Sequence, residues 1–340
     1  MLFTSIFPAL RLATLFLHIS FALAYPHNTT YPLTVIEKFT VPVSFENIAT
    51  RRDGYLLVTS VESSILRQVS PFGNKNSVAI ASIPGATSLL GIAELKEDVF
   101  YVVAANVSST TAIPGTNAVW EIDLRDSQAC FSARKNRKVC AKTTLIAKVE
   151  SAGLLNGMCR LSTDDNSTLL IADSAAGNVV KLNVDTGSYE TIINDKQMKN
   201  NSPGLQVAIN GVHIYGTWLY FTNLNQGIFA RVPLDLSSGT VTGPVEVIVN
   251  NTPGDDFIIS RDGGKAWIAM NGHSHLVEVD INRKTAKVVV DSTYLESASA
   301  VSFGRTHFDW NSLYISSAGV LNPAKPGNHT VGGIVARVDL

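Results

Sequence analysis

The stretch INGVHIYGTWLYFTN, residues 209–223, steps from a polar Asn-Gly into an apolar alternation and turns at Tyr215-Gly216-Thr217. It then runs through a second alternation that closes on Thr222-Asn223. Alternation on both sides of a Gly-containing turn reads as a β-hairpin. The second half, WLYFTN, recurs as YLLVTS (55–60), VFYVVAAN (99–106), TLLIADS (168–174), KAWIAMN (265–271) and SLYISS (312–317), each closing on a small polar residue. Those closing residues, Ser60, Asn106, Ser174, Asn223, Asn271 and Ser317, are spaced by 46, 68, 49, 48 and 46. An insertion holding the segment between Cys130 and Cys140 accounts for the 68. Six copies at a period in the high forties predict an all-β fold, a six-bladed β-propeller.

A further strand follows each copy: SILRQV, AVWEID, NVVKLNV, GIFARVPL, HLVEVDI and GIVARVDL. Outer strands SVAIASI, TTLIAKV, YETIIN, VEVIVN and AKVVVD follow in five cases, and in the sixth the sequence ends at Leu340. The missing strand is expected from TVIEKF (34–39), which would complete the last blade and close the ring without an open edge. Stretches such as 83–88 and 236–244 read as inter-strand turns, so one domain is expected over 25–340.

The 340 residues are 45% hydrophobic and 16% charged, with net charge −1. That composition excludes a disordered chain and gives no basic footprint for nucleic acid. Residues 1–24 place Arg11 before an apolar run, Leu12 to Ala24, that ends in a small-x-small site, the pattern of a secretory signal peptide. The expectation is a secreted protein without a membrane span after cleavage. Asn28, Asn106, Asn166, Asn200, Asn250 and Asn328 open N-x-S/T sequons and fit a glycoprotein of that route. Cys130 and Cys140 flank a basic loop that a disulfide could close in an oxidising lumen, and Cys159 reads as a buried small hydrophobe.

The innermost strand of each blade lines the channel. Aligning the six first strands puts Glu46, Leu90, Asn156, Asn210, Asp255 and Ser299 in one column at its mouth, spaced by 44, 66, 54, 45 and 44. Converging carboxylate and amide oxygens at Glu46, Asn156, Asn210 and Asp255 suit a divalent cation such as Ca²⁺ or Mg²⁺. They would serve equally to hold a polar substrate group or move protons. The strand-closing Asn223 and Asn271 share that face, and His273 follows in a loop. With Asn156, Asn210 and Ser299 they form the expected substrate contacts, with Glu46, Asp255 and Asp256 for proton work. Trp218 and Trp267 start strands at the other end and read as core.

These texts resemble the SMP-30/gluconolactonase/luciferin-regenerating family of six-bladed propellers: Glu46 opening the first blade, Asn156 in LNGM, Asn210 in INGV, and Asp255 before the fifth blade. The resemblance implies that these four positions hold a divalent metal and that the aspartate or its neighbours serve lactone hydrolysis. Asp256 and Arg305 stand where that family commonly has glycine. SFENIA, LLIADS, LYFTN and DDF further resemble a fungal secretory branch that includes hetero-Diels–Alderases of tropolone sesquiterpenoid biosynthesis. That resemblance implies an enzyme joining a tropolone-derived quinone methide (polyketide) to a humulene-type terpene, needing no cofactor for the cycloaddition. A metal-dependent lactonase and a non-catalytic binding propeller are the alternatives.

Overall fold

The computed structural model describes residues 31–39, 43–73, 75–108, 111–126, 141–319 and 332–340. The leader at 1–24, Asn28, Asn328 and the Cys130–Cys140 pair lie outside the described residues. Among the described residues six antiparallel sheets, five of four strands and one with a short fifth, follow one another around a ring. From the axis outward, blade 1 is Phe45–Thr50, Leu56–Ser60, Ser63–Val69 and Val78–Ser82. Blade 2 is Ser88–Lys96, Val99–Ala105, Ala118–Asp123 and Lys142–Lys148. Blade 3 is Leu155–Arg160, Thr168–Asp173, Asn178–Asn183 and Tyr189–Ile193. Blade 4 is Ile209–Tyr215, Trp218–Asn223, Ile228–Asp235 and Glu246–Asn250. Blade 5 is Phe257–Ile259, Lys265–Met270, His275–Asp280 and Thr285–Asp291. Blade 6 is Ala298–Phe303, Ser312–Ser317 and Ile334–Asp339, and Leu33–Lys38 pairs antiparallel with its last strand, Leu33 opposite Val338 and Lys38 opposite Ile334.

The insertion of blade 2 differs in part from the expected one. Some of its length is a small ladder between its second and third strands, Val107–Ser108 against Thr111–Ala112. The turn expected at 236–244 also contains a short strand, Thr240–Val241, extending blade 4.

The core is six seams between neighbouring blades rather than one interior. Side chains alternate across a strand, so successive residues enter opposite seams. Leu169 and Ile171 pack between blades 2 and 3, and Leu170 and Ala172 between blades 3 and 4. This explains why the middle strands are continuous apolar runs, whereas the outer strand Lys142–Lys148 exposes four of its seven residues. Trp267 is core, edge-on to Phe303 in the seam between blades 5 and 6. Cys159 is a buried free thiol in the seam between blades 3 and 4.

Nearest the axis the inner strands bulge. The register of each against its partner slips between Phe45 and Ile48, Leu89 and Ile92, Leu155 and Met158, Ile209 and Val212, and Ala298 and Ala300. At the bulges adjacent blades touch backbone to backbone. A Cβ on Gly157 would lie 2.5 Å from the carbonyl oxygen of Asn210 and 2.9 Å from Gly211 Cα; one on Gly91 would strike the Asn156 carbonyl, and one on Gly211 the Asp256 side chain. Neighbouring peptides are joined there as well: Gly211 N donates to Asp255 O at 3.0 Å and Asp256 N to Ser299 O at 3.0 Å.

Gly157→Ala is therefore expected to destabilise the fold by about 1–3 kcal/mol through overpacking. Gly264→Ala, whose Cβ would meet nothing nearer than Asp262 Oδ1 at 3.5 Å, should stay within about 0.5 kcal/mol. Urea denaturation of both variants checks this; equal midpoints would refute the steric reading.

Candidate active site

The bulges create the site. A bulged residue loses its ladder partner and its side chain is re-aimed. The freed donors at Asn47 and Gly211 bond to the buried hydroxyls of Thr59 at 2.9 Å and Thr222 at 3.0 Å. Thr222 passes its own hydrogen to Asp255 O at 2.5 Å.

Asp255 is buried, 3% exposed. Asn210 Nδ2 donates to its Oδ1 at 2.5 Å and Asn271 Nδ2 to its Oδ2 at 2.6 Å. Burial lifts its carboxyl to about 7 and the Asp256 charge adds to the rise, against the pull of the Asn271 and Asn210 amides. Glu46 is pushed well above the usual carboxylate range, by burial first and then by the charges of Asp255 and Asp256, with a hydrogen bond from Asn156 opposing. Asp256, 5% exposed, accepts at Oδ1 from Phe257 N at 2.8 Å and at Oδ2 from Asn47 Nδ2 at 3.4 Å. His213 Nε2 lies 2.9 Å from Asp256 Oδ1.

Glu46, Asn156, Asn210, Asp255, Asp256 and Asn271 are thus brought together from blades 1, 3, 4 and 5. Ser299 lies beside them, its carbonyl accepting from Asp256 N and its hydroxyl 3.0 Å from that of Ser316. Asn223 does not point at the channel cluster. Its Nδ2 donates to the carbonyls of Gln197 and Lys199, both at 2.9 Å, and anchors the segment entering blade 4. His273 stacks on His275 with ring centroids 6.0 Å apart, and burial and that neighbour hold its pKa below the ordinary value. His213 and Asn47 were not singled out by the sequence. Of the described sequons, Asn250 is exposed, Asn166 accepts from Arg160 at 3.1 Å, Asn106 accepts from Thr87 N at 2.9 Å, and Asn200 has a buried Oδ1.

The other end of the inner strands, roughly 13 Å along blade 1 from Glu46, holds ion pairs of both signs. Arg305 of blade 6 pairs with Glu94 of blade 2 and donates to Thr50 O at 2.9 Å, so it reaches across the end of the intervening inner strand. The fully enclosed Arg51 forms two bonds to Asp98, at 2.9 and 2.8 Å, and one to Gln68 at 2.8 Å.

No protein-family model matches the chain. It is 25% identical over 228 residues to the proposed hetero-Diels-Alderase asR5 of Sarocladium schorii, a match covering 60% of this chain and 54% of that protein. The chain thus spans about half the length of the curated relative it matches. Among solved structures, a calcium-binding regucalcin from Agrobacterium tumefaciens superposes with TM-score 0.61 at 17% identity, covering 91% of this chain and 95% of that one. The fold is that of the regucalcin and gluconolactonase propellers. A luciferin-regenerating enzyme has the same TM-score and coverage at 14% identity. The gluconolactonase XC5397 of Xanthomonas campestris gives 0.57 at 11% identity, covering 91% and 89%.

A divalent cation fits the residues present. Glu46, Asn156, Asn210 and Asp255 offer the hard oxygen donors such an ion takes, and Asn156 Oδ1 is a buried acceptor without a hydrogen-bond partner. Among the described residues no group of three or more His, Cys, Asp or Glu has metal-binding spacing, so half of any such donor set is amide.

The raised carboxyl predicts a pH dependence. In the unfolded chain an aspartate ionises near 4, whereas Asp255 in the fold does so at about 7. Between those values the native state holds a proton that the unfolded state has lost. Its contribution to stability therefore falls as pH rises, by on the order of 1.4 kcal/mol per unit. Relative to wild type, Asp255→Asn should gain stability steadily from pH 4 to pH 7 in urea titrations. Millimolar Ca²⁺ at pH 7 should raise the melting temperature of wild type and not of the variant. A pH-independent difference between the two proteins would refute the assignment.

Proposed function

We propose that the protein is a hetero-Diels–Alderase that joins a tropolone-derived quinone methide to a humulene-type sesquiterpene in fungal secondary metabolism. The reading is supported by the similarity to asR5. The observation that carries the chemistry is a pair of channel carboxyls, Glu46 and Asp255, that burial makes harder to ionise. The cycloaddition forms one C–C and one C–O bond from the quinone methide's C=C–C=O and the alkene, with no electrons or protons supplied from outside. What the protein contributes is register and polarisation. Holding the two reactants together is worth up to about 7–11 kcal/mol in well-oriented models. A carboxyl proton directed at the carbonyl oxygen stabilises the charge that develops there, and removing one such donor elsewhere costs about 3–4 kcal/mol.

Asn210 and Asn271 have a positioning role, since their amides fix both oxygens of Asp255. Glu46 keeps accessible surface and is the carboxyl that would meet substrate, with Asn156 orienting it. A bound divalent cation would supply Lewis acidity toward the same oxygen. The mature protein would follow the secretory route, with glycans favoured at exposed positions such as Asn250.

A second reading, a metal-dependent lactonase, is favoured by the unpartnered Asn156 Oδ1 amid two carboxylates and two amides. Chelation separates the two, because lactone hydrolysis should stop with EDTA and cycloaddition should continue.

Incubating the purified protein with a hydroxymethyl tropolone and humulenol should give adduct faster than the enzyme-free control and with one stereochemistry, read by chiral chromatography and mass spectrometry. Glu46→Gln should lower the rate at least about 10²-fold. A product distribution matching the control would rule the pericyclase out.

A further inference from the structure

The carboxylate cluster has one basic partner that neither the column nor the resemblance predicts. His213 lies on the inner strand of blade 4, and its side chain is 25% exposed. It is held at two points. Nε2 lies 2.9 Å from Asp256 Oδ1, and the ring meets Phe257 edge-on with centroids 4.8 Å apart at 78°. Asp256 is in turn fixed as an acceptor: Oδ1 already takes the Phe257 N–H, which can only donate, and Oδ2 takes Asn47 Nδ2. An acceptor opposite Nε2 places the ring hydrogen there and leaves the lone pair on Nδ1, the arrangement by which a buried carboxylate orients a catalytic imidazole.

Other titratable groups around the ring are accounted for. Tyr220 sits opposite His213 on the neighbouring strand, and its hydroxyl accepts from Arg231 at 3.1 Å. The Cys159 thiol, from the inner strand of blade 3, is kept protonated by burial and by the Asp256 charge. Neither competes for Nδ1 as a fixed donor.

We infer that His213, oriented by Asp256, is the general base that generates the quinone methide in the channel. The inference rests on the pericyclase reading above. A hydroxymethyl tropolone is not itself a heterodiene and must first lose water. The ring hydroxyl gives its proton to His213 Nδ1, and its electron pair forms the exocyclic C=C through the ring. The C–O bond of the hydroxymethyl group breaks, and the departing oxygen takes a proton from solvent and leaves as water. His213 then returns its proton to solvent. No oxidant or reductant is involved. A positioned base is what such a 1,4-elimination needs, and forming the short-lived diene beside the alkene limits its capture by water.

The test uses two precursors with humulenol: the hydroxymethyl tropolone, and an analogue with a better leaving group that releases the quinone methide spontaneously. In His213→Gln, whose amide can still bond Asp256, turnover of the hydroxymethyl precursor should fall about 10²-fold or more. Rate and stereochemistry with the self-releasing analogue should stay as in wild type. Unchanged turnover of both precursors would overturn the inference, and so would an equal loss of both, which marks a structural role. If wild type accelerates neither precursor, the pericyclase reading itself fails; if it uses only the self-releasing one, that reading stands and the base is lost.

Discussion

Six inner strands converge until neighbouring backbones touch, and the rest of the molecule is arranged around that approach. It leaves no room for a Cβ at Gly91, Gly157 or Gly211, and it forces bulges that turn the adjoining residues toward the axis. The acidic and amide side chains are a consequence of the same geometry. Where one blade places Asn-Gly, another can place Glu-Asn or Asp-Asp. Three carboxyl groups then share a space with little water, which is why Glu46 and Asp255 resist ionisation. A stability cost is held at the centre of the ring, which is where functional chemistry is commonly found.

The two ends of the channel differ. Carboxyls that prefer to stay neutral stand at one end, and paired guanidinium groups, Arg305 and Arg51, brace the other. Arg305 reaches from blade 6 to blade 2. Asp256 also bridges blades, since its oxygens join Asn47 of blade 1 to His213 of blade 4.

Much of this was legible in the sequence. Seams filled from both faces of the middle strands require apolar runs, and those runs repeat, so the six blades and the closing strand could be read from the residues. The column could be read too, because Glu46, Asn156, Asn210 and Asp255 recur at the blade period. Asn223 misled because it occupies the strand-closing position that in blade 5 is Asn271. The two amides part only through the chain around them: Asn271 faces Asp255, whereas Asn223 faces the carbonyls at 197 and 199 that precede blade 4. His213 escaped notice for a different reason. Counting by twos from Asn210 puts it on the opposite face, and the bulge between Ile209 and Val212 restores it to the same side. A one-residue slip of register is invisible to periodicity.

Blade 6 takes its outermost strand, Leu33–Lys38, from one end of the sequence and its other three from the opposite end. During synthesis, Leu33–Lys38 emerges early and has no partner until Ile334–Asp339 follows some 300 residues later. Five blades can assemble in order while the ring stays open, so the channel with its buried carboxyls takes its final shape only once Ile334–Asp339 has met Leu33–Lys38. A chain cut short of Ile334 would leave that strand without its partner and the last blade without its edge.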